Sequence, residues 1–181
     1  SDLATSSTCE ILGVTSASTK PGGLGQSFGN FTWNCSGQTA NSDLAGALTI
    51  VNGNFTVQNT GGNYLQLLGT GQTFACAGNF SVNGTAKFNP QDSSGSAGNT
   101  LNIGGNFSVA SSGKFDATSG GVVAINFNGS SPQTFANSGT ISDAQNYDWK
   151  VNIGGMLALN SGLTVNSGGS FIVDGILNLG V

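Results

Sequence analysis

Apolar and polar residues alternate with a period of two in short stretches along most of the chain, as in "NFTWN", "NFTVQ", "NFSVN", "TLNIG" and "KVNIG". Such alternation places one set of side chains on a buried face and the other on a solvated one, which is the signature of a β-strand. A helix needs apolar residues three and four apart over ten or more positions, and no window supplies that pattern without a glycine inside it. The pattern therefore predicts strands of about five residues separated by Gly, Asn and Ser turns.

The strands repeat. Gly-Asn-Phe occurs at Gly29, Gly53, Gly78 and Gly105, and the same slot returns in altered form as "GMLAL" from Gly155 and "GILNL" from Gly175. "FNGSSPQTF" fills the interval between Gly105 and Gly155. Two and four residues after each glycine stand Phe31 and Trp33, Phe55 and Val57, Phe80 and Val82, Phe107 and Val109, Leu157 and Leu159, then Leu177 and Leu179. The positions between them hold Thr32, Thr56, Ser81, Ser108, Ala158 and Asn178. Before the glycine, Phe74 and Cys76, Leu101 and Ile103, and Val151 and Ile153 fill matching slots, so the glycine marks a corner between two short strands.

The period, about 25 residues, is too short for a propeller blade, which takes about 40, and suits one coil of a solenoid. The expected fold is all-β: a right-handed parallel β-helix (β-solenoid) of about seven coils, forming a rod of about 35 Å at the spacing between paired strands. It forms a single domain over 1–181, with a divergent part at 1–28 and Gly-Asn-Phe type repeats over 29–181. The alternative is an antiparallel β-sandwich, whose strands and turns also recur at short, regular intervals.

Composition narrows the possible roles. The chain has 181 residues, 30 Gly, 8 acidic residues and 4 Lys; it has no Arg or His, and only 7% of its residues are charged. An ordinary domain has about 25%. With net charge -4 and no basic patch, binding to nucleic acid or to an anionic membrane surface is not expected. Apolar runs of a few residues rule out a membrane-spanning helix, which needs about 20. Eleven Phe and two Trp in alternation separate the chain from disordered Gly/Ser/Asn-rich sequences.

Candidate chemistry is sparse. Cys9 and Cys35 lie about one coil apart, so a disulfide between stacked positions is one expectation and two unpaired thiols the other. Cys76, in an inward slot, reads as a small buried hydrophobe. The acids are Asp2, Glu10, Asp43, Asp92, Asp116, Asp143, Asp148 and Asp174. A polysaccharide lyase or hydrolase would need carboxylates converging in a groove. Asp92 and Asp116, one repeat apart, and Asp143 and Asp148 with Tyr147 in "ISDAQNYD" are the pairs that would supply them; solvated turn acids are the other reading. Lys87 and Lys114 occupy equal repeat positions, each before a Phe. "GTGQTF" and "GSSPQTF" lack the Lys-Ser/Thr of a phosphate loop. Of the Asn-X-Ser/Thr triplets at Asn30, Asn34, Asn54, Asn79, Asn83, Asn106 and Asn128, four belong to the repeat corner itself. No catalytic, cofactor or metal residue is assigned.

The segments "CEILGVTSAS", "FGNFTWNCSGQT", "GNFSV", "FNGSSPQTF" and "VNIGGMLALNSGLTVNSGGSFIVDGILNLG" resemble, over nearly the whole chain, repeat regions of large secreted surface proteins of Bacteroidetes. That resemblance implies a β-solenoid stalk or adhesive surface exported by the type IX route, and a segment of a longer repeat protein. The expected role is a non-catalytic structural or adhesive solenoid, extracellular and at the bacterial cell surface. A subunit of a self-assembling filament and a carbohydrate-active β-helix are the alternatives. Self-association head to tail, or continuation into neighbouring coils, would cover Leu177 and Leu179, and surface glycans are the other expected partner.

Overall fold

A computed structural model describes residues 6–16, 20–92, 97–117 and 121–180 of the chain. Every strand pairing among these residues is parallel, which excludes the sandwich and establishes a β-solenoid of about seven turns. Five successive coils, from Asn30 to Val151, visit three faces in turn, and with the partial turns at either end they build sheets of eight, five and six strands among the described residues. The second coil is typical: Asn30–Asn34 joins the eight-stranded sheet, Ser42–Asp43 the five-stranded one and Ile50–Val51 the six-stranded one. Seven strand spacings along the eight-stranded sheet give a length of about 34 Å. The only helix among the described residues is one 3-10 turn, Ala144–Asn146, and none is long and apolar enough to cross a membrane.

The core is a set of columns running up the rod. Phe31, Phe55, Phe80, Phe107 and Phe135 stack one per coil, with successive ring centroids 5.1 to 5.9 Å apart, and each is fully buried. Phe115 and Trp149 meet this column edge-on, an arrangement that aligns the positive ring edge with the negative face.

The Gly-Asn-Phe corner is held by its own neighbours. The side-chain carbonyl of Asn30 accepts the backbone N–H of Asn54 at 2.8 Å, Asn54 accepts from Asn79 at 2.8 Å, Asn79 from Asn106 at 2.9 Å and Asn106 from Thr134 at 2.8 Å. The glycine is required by proximity, not by a left-handed backbone. A Cβ on Gly105 would lie 2.5 Å from the carbonyl carbon of Gly78, and one on Gly78 would lie 2.6 Å from that of Gly53.

Two expectations about register are corrected. Phe107 pairs with Phe135, and Phe135 with Leu159, so "FNGSSPQTF" contributes a full strand, Gln133–Asn137, and Leu157 sits beside Gln133. On the six-stranded sheet Ile103, Phe127 and Val151 share a column. Cys76 joins that column beside Ile103, whereas Ile153 lies past the end of its strand and is 87% exposed. In both places the expected alignment is off by two residues, a shift that preserves the alternation within each strand. Where Gly105 stands in one coil, Gln133 stands in the next. Its buried amide donates to the carbonyls of Ile103 and Gly105 and accepts from the N–H of Gly129.

The Cys9–Cys35 bridge is also corrected. Cys9 pairs with Phe31, four residues before Cys35, which separates the two by about 13 Å of strand, beyond disulfide reach. All three cysteines are free. The Cys35 thiol donates to the carbonyl of Ile11; burial pushes the Cys76 thiol up to about 11.

Phe107→Ala is expected to cost about 3 to 5 kcal/mol in urea denaturation, and Ser108→Ala, on the outer side of the same strand, no more than about 0.5 kcal/mol. Thiol titration of the denatured, unreduced protein should return three free thiols per chain.

Candidate functional site

The densest group of ionisable side chains stands on the five-stranded face and at the corner leading away from it. In this sheet Tyr64 pairs with Lys87, and Lys87 with Lys114, so the three lie in one outward column. The Tyr64 ring lies along the sheet, with the ammonium groups of Lys87 and Lys114 5.7 and 5.6 Å from its centroid. Its hydroxyl reaches two coils further, donating to Asp116 Oδ2 at 2.7 Å. Lys114 Nζ lies 2.7 Å from the same oxygen. The neighbouring outward column of Gln66, Asn89 and Asp116 is consequently buried, with Asp116 only 3% exposed.

The corner closes on Asp116 from the other side. Asp143 takes up a left-handed backbone (φ 56, ψ 46) at the start of the 3-10 turn, a conformation that Asp tolerates better than most residues. The Asn146 side chain donates to the Ala117 carbonyl at 3.1 Å, and Tyr147 turns into the core, its ring 5.4 Å from Phe115. Two buried oxygens here have no hydrogen-bonding partner within reach: Asp116 Oδ1 and the Tyr147 hydroxyl.

Burial alone would push the Asp116 carboxyl up. Hydrogen bonds from Lys114 and Tyr64, a contact with the Asp143 side chain and the Lys114 charge outweigh it and hold the carboxyl below its ordinary value. The hydrogen bond with Asp116 raises Lys114 well above the usual lysine range, so it is a fixed cation and not a base. Burial raises Tyr64 and Tyr147. The groups that could do acid–base chemistry are thus committed to one another.

The structure joins one pair of acids that the sequence leaves apart and separates both pairs that it suggests. Asp116 meets Asp143. Asp92 does not stack on Asp116, because the pairing of Lys87 with Lys114 and Phe88 with Phe115 places Asn89 there. Asp148 points outward from the six-stranded sheet, where Ser170 donates to it at 2.6 Å. Glu10 accepts from Asn34, Asp43 from the N–H of Ala45, and Asp174 pairs with Lys150 at 2.8 Å; Asp2 lies outside the described residues. Among the described residues no three His, Cys, Asp or Glu side chains are grouped to hold a metal ion. A void of about 50 Å³ between Phe135, Ile141, Trp149 and Leu163 is lined by none of these acids.

Sequence reasoning missed Tyr64 and the buried role of Gln133. Tyr64 holds the repeat position of Lys87 and Lys114, a signal present in the chain; the Gln-Thr-Phe shared by "GTGQTF" and "GSSPQTF" was the signal for Gln133. No protein-family model, curated protein or solved structure matches the chain.

Because the folded state holds Asp116 ionised, its contribution to stability is present above about pH 4, the ordinary carboxylate value. It is lost as pH falls through the lowered folded value. Tyr64→Phe, which removes one donor to a buried carboxylate, should cost about 1 to 3 kcal/mol at neutral pH and move the acid-unfolding midpoint upward in a circular-dichroism titration.

Proposed function

We propose that the chain is a non-catalytic, structural and adhesive β-solenoid of a bacterial cell surface, and that its eight-stranded face makes the contact with a neutral, hydroxyl-rich glycan. The observation that carries this reading is the segregation of charge. From Asn30–Asn34 to Ile176–Asn178 the strands of that face contain no ionisable side chain. Lys87, Lys114 and Lys150 stand on the other two faces, as do Asp43, Asp116 and Asp148. Thr32, Thr56, Ser81 and Ser108 form an outward column at strand spacing, with Asn54, Asn79 and Asn106 beside it. A neutral face imposes no desolvated charge on a neutral ligand, and the coil-to-coil hydrogen bonds fix its groups before binding, which lowers the entropic cost. The resemblance to Bacteroidetes surface repeats agrees with this role.

In the same reading Leu177 and Leu179 belong to an assembly surface, covered by a neighbouring coil or by a second copy stacked head to tail. Leu179 is 69% exposed and Ile176 57%, while Leu177 is half-buried against Leu157. A second reading, a carbohydrate-active β-helix, would rest on the Asp116 and Asp143 carboxyls, and it requires Asp116, buried and paired with Lys114 and Tyr64, to be released to a substrate.

Retention of the protein on insoluble neutral polysaccharide, compared with an acidic one, tests the first reading. Wild type should be retained by the neutral polymer, and Thr56→Lys with Ser108→Lys, checked for folding by circular dichroism, should lose retention at least about tenfold, or about 1.4 kcal/mol. Equal retention of both proteins would refute the assigned face. Release of reducing ends that Asp116→Asn abolishes would favour the second reading.

A further inference from the structure

We infer that Asp116 and Asp143 hold one proton between them, so that the corner joining the five-stranded and six-stranded sheets is closed while the pair is singly protonated and forced apart when that proton leaves. This inference stands independently of the glycan-binding face.

It begins with the oxygens of Asp116. Its Oδ2 is satisfied twice, by Tyr64 and by Lys114. Its Oδ1 is buried and no donor reaches it, while the other side chain that meets this carboxyl is itself a carboxyl, Asp143. Ionised carboxylates are acceptors only, so two of them in contact repel unless a proton lies between them. One proton turns the contact into a carboxyl-to-carboxylate hydrogen bond, one of the stronger kinds, and gives the buried oxygen its missing donor.

The surrounding charges agree with a single proton. The groups facing the pair are Tyr64 from Tyr64–Leu68, Lys114 from Lys114–Asp116, and Tyr147 from Tyr147–Val151, with Lys87 from Lys87–Gln91 above the Tyr64 ring. Lys114 balances one negative charge at Asp116. A second carboxylate charge against the first adds repulsion in a corner where burial already penalises the first. The left-handed backbone of Asp143 is set by the 3-10 turn, whose Asn146 N–H donates to the Asp143 carbonyl at 2.8 Å, and this turn brings the Asp143 side chain to Asp116.

The pair titrates as a unit, with one step below and one above the ordinary carboxylate value. The proton retained by the upper step is bound more tightly in the folded chain than in the unfolded one. Its contribution is therefore fully present below about pH 4 and is lost as pH rises through the folded-state step, opposite in sign to the acid-side loss at Asp116.

Thermal unfolding of the whole chain between about pH 5 and about pH 8, with and without a chelator, tests the proposal, alongside carboxyl carbon-13 titration of the wild type. Wild-type stability should fall across this interval, and both carboxyl resonances should respond to the same upper step. Asp143→Asn, whose amide donates to the same oxygen without titrating, should be flat across it. Three results would overturn the proposal: the same fall in Asp143→Asn; two independent titrations in the ordinary carboxylate range; or a calcium-dependent rise in wild-type stability at the upper pH that Asp143→Asn lacks, which would put a cation where the proton is placed. Should Asp143→Asn fail to fold, the wild-type carboxyl titration decides alone.

Discussion

The close stacking of one Gly-Asn corner on the next is the contact on which the rest of the rod depends. Paired strands lie about 4.8 Å apart, and at this corner the backbones of successive coils have no space for a Cβ between them. The glycine admits the approach, and the asparagine carbonyl converts it into a hydrogen bond to the next coil. With that spacing set, the phenylalanine that follows must fall on the phenylalanine of the coil before. Stacked aromatics then fill the interior, and the residues between them face outward in a matching column. The core and the outer face are therefore two results of one corner.

The strand class, the parallel stacking, the inward faces of the Gly-Asn-Phe coils and the solenoid period were legible in the sequence, because each depends on a local pattern repeated many times. Ile153 and Leu179, in inward slots by the same pattern, are instead exposed. Register was harder. An alternation of period two is unchanged by a shift of two residues, so nothing in "GMLAL" reveals whether Leu157 or Leu159 continues the phenylalanine column; the pairing of Phe135 with Leu159 settles it. Coil length also varies. The step from Leu157 to its partner Leu177 is shorter than the mean period, and the step from Phe107 to Phe135 is longer. A spacing near the mean period therefore does not establish stacking, which is why Cys9 meets Phe31 and not Cys35, and why Asp116 lies beside Asn89 and not Asp92.

The contact of Asp116 with Asp143 was not legible for a different reason. It joins the end of one strand to a turn in the next coil through a left-handed residue, and no repeat position predicts that conformation. The cluster also depends on Tyr64 spanning two coils to reach Asp116. Side chains that cross coils break the one-to-one correspondence on which repeat reasoning relies.

The three faces do not run the same distance. Among the described residues the five-stranded sheet ends at Thr140–Ser142, while the other two continue through Met156–Leu159 and Ser170–Val173. Interstrand hydrogen bonds run along the rod, so a pull along its axis is carried by three ladders side by side through most of its length and by two beyond Ser142. Among the described residues the thinnest join is at the opposite end, where the single ladder of Thr8–Ile11 with Asn30–Asn34 links the first two coils, so under tension those coils part first.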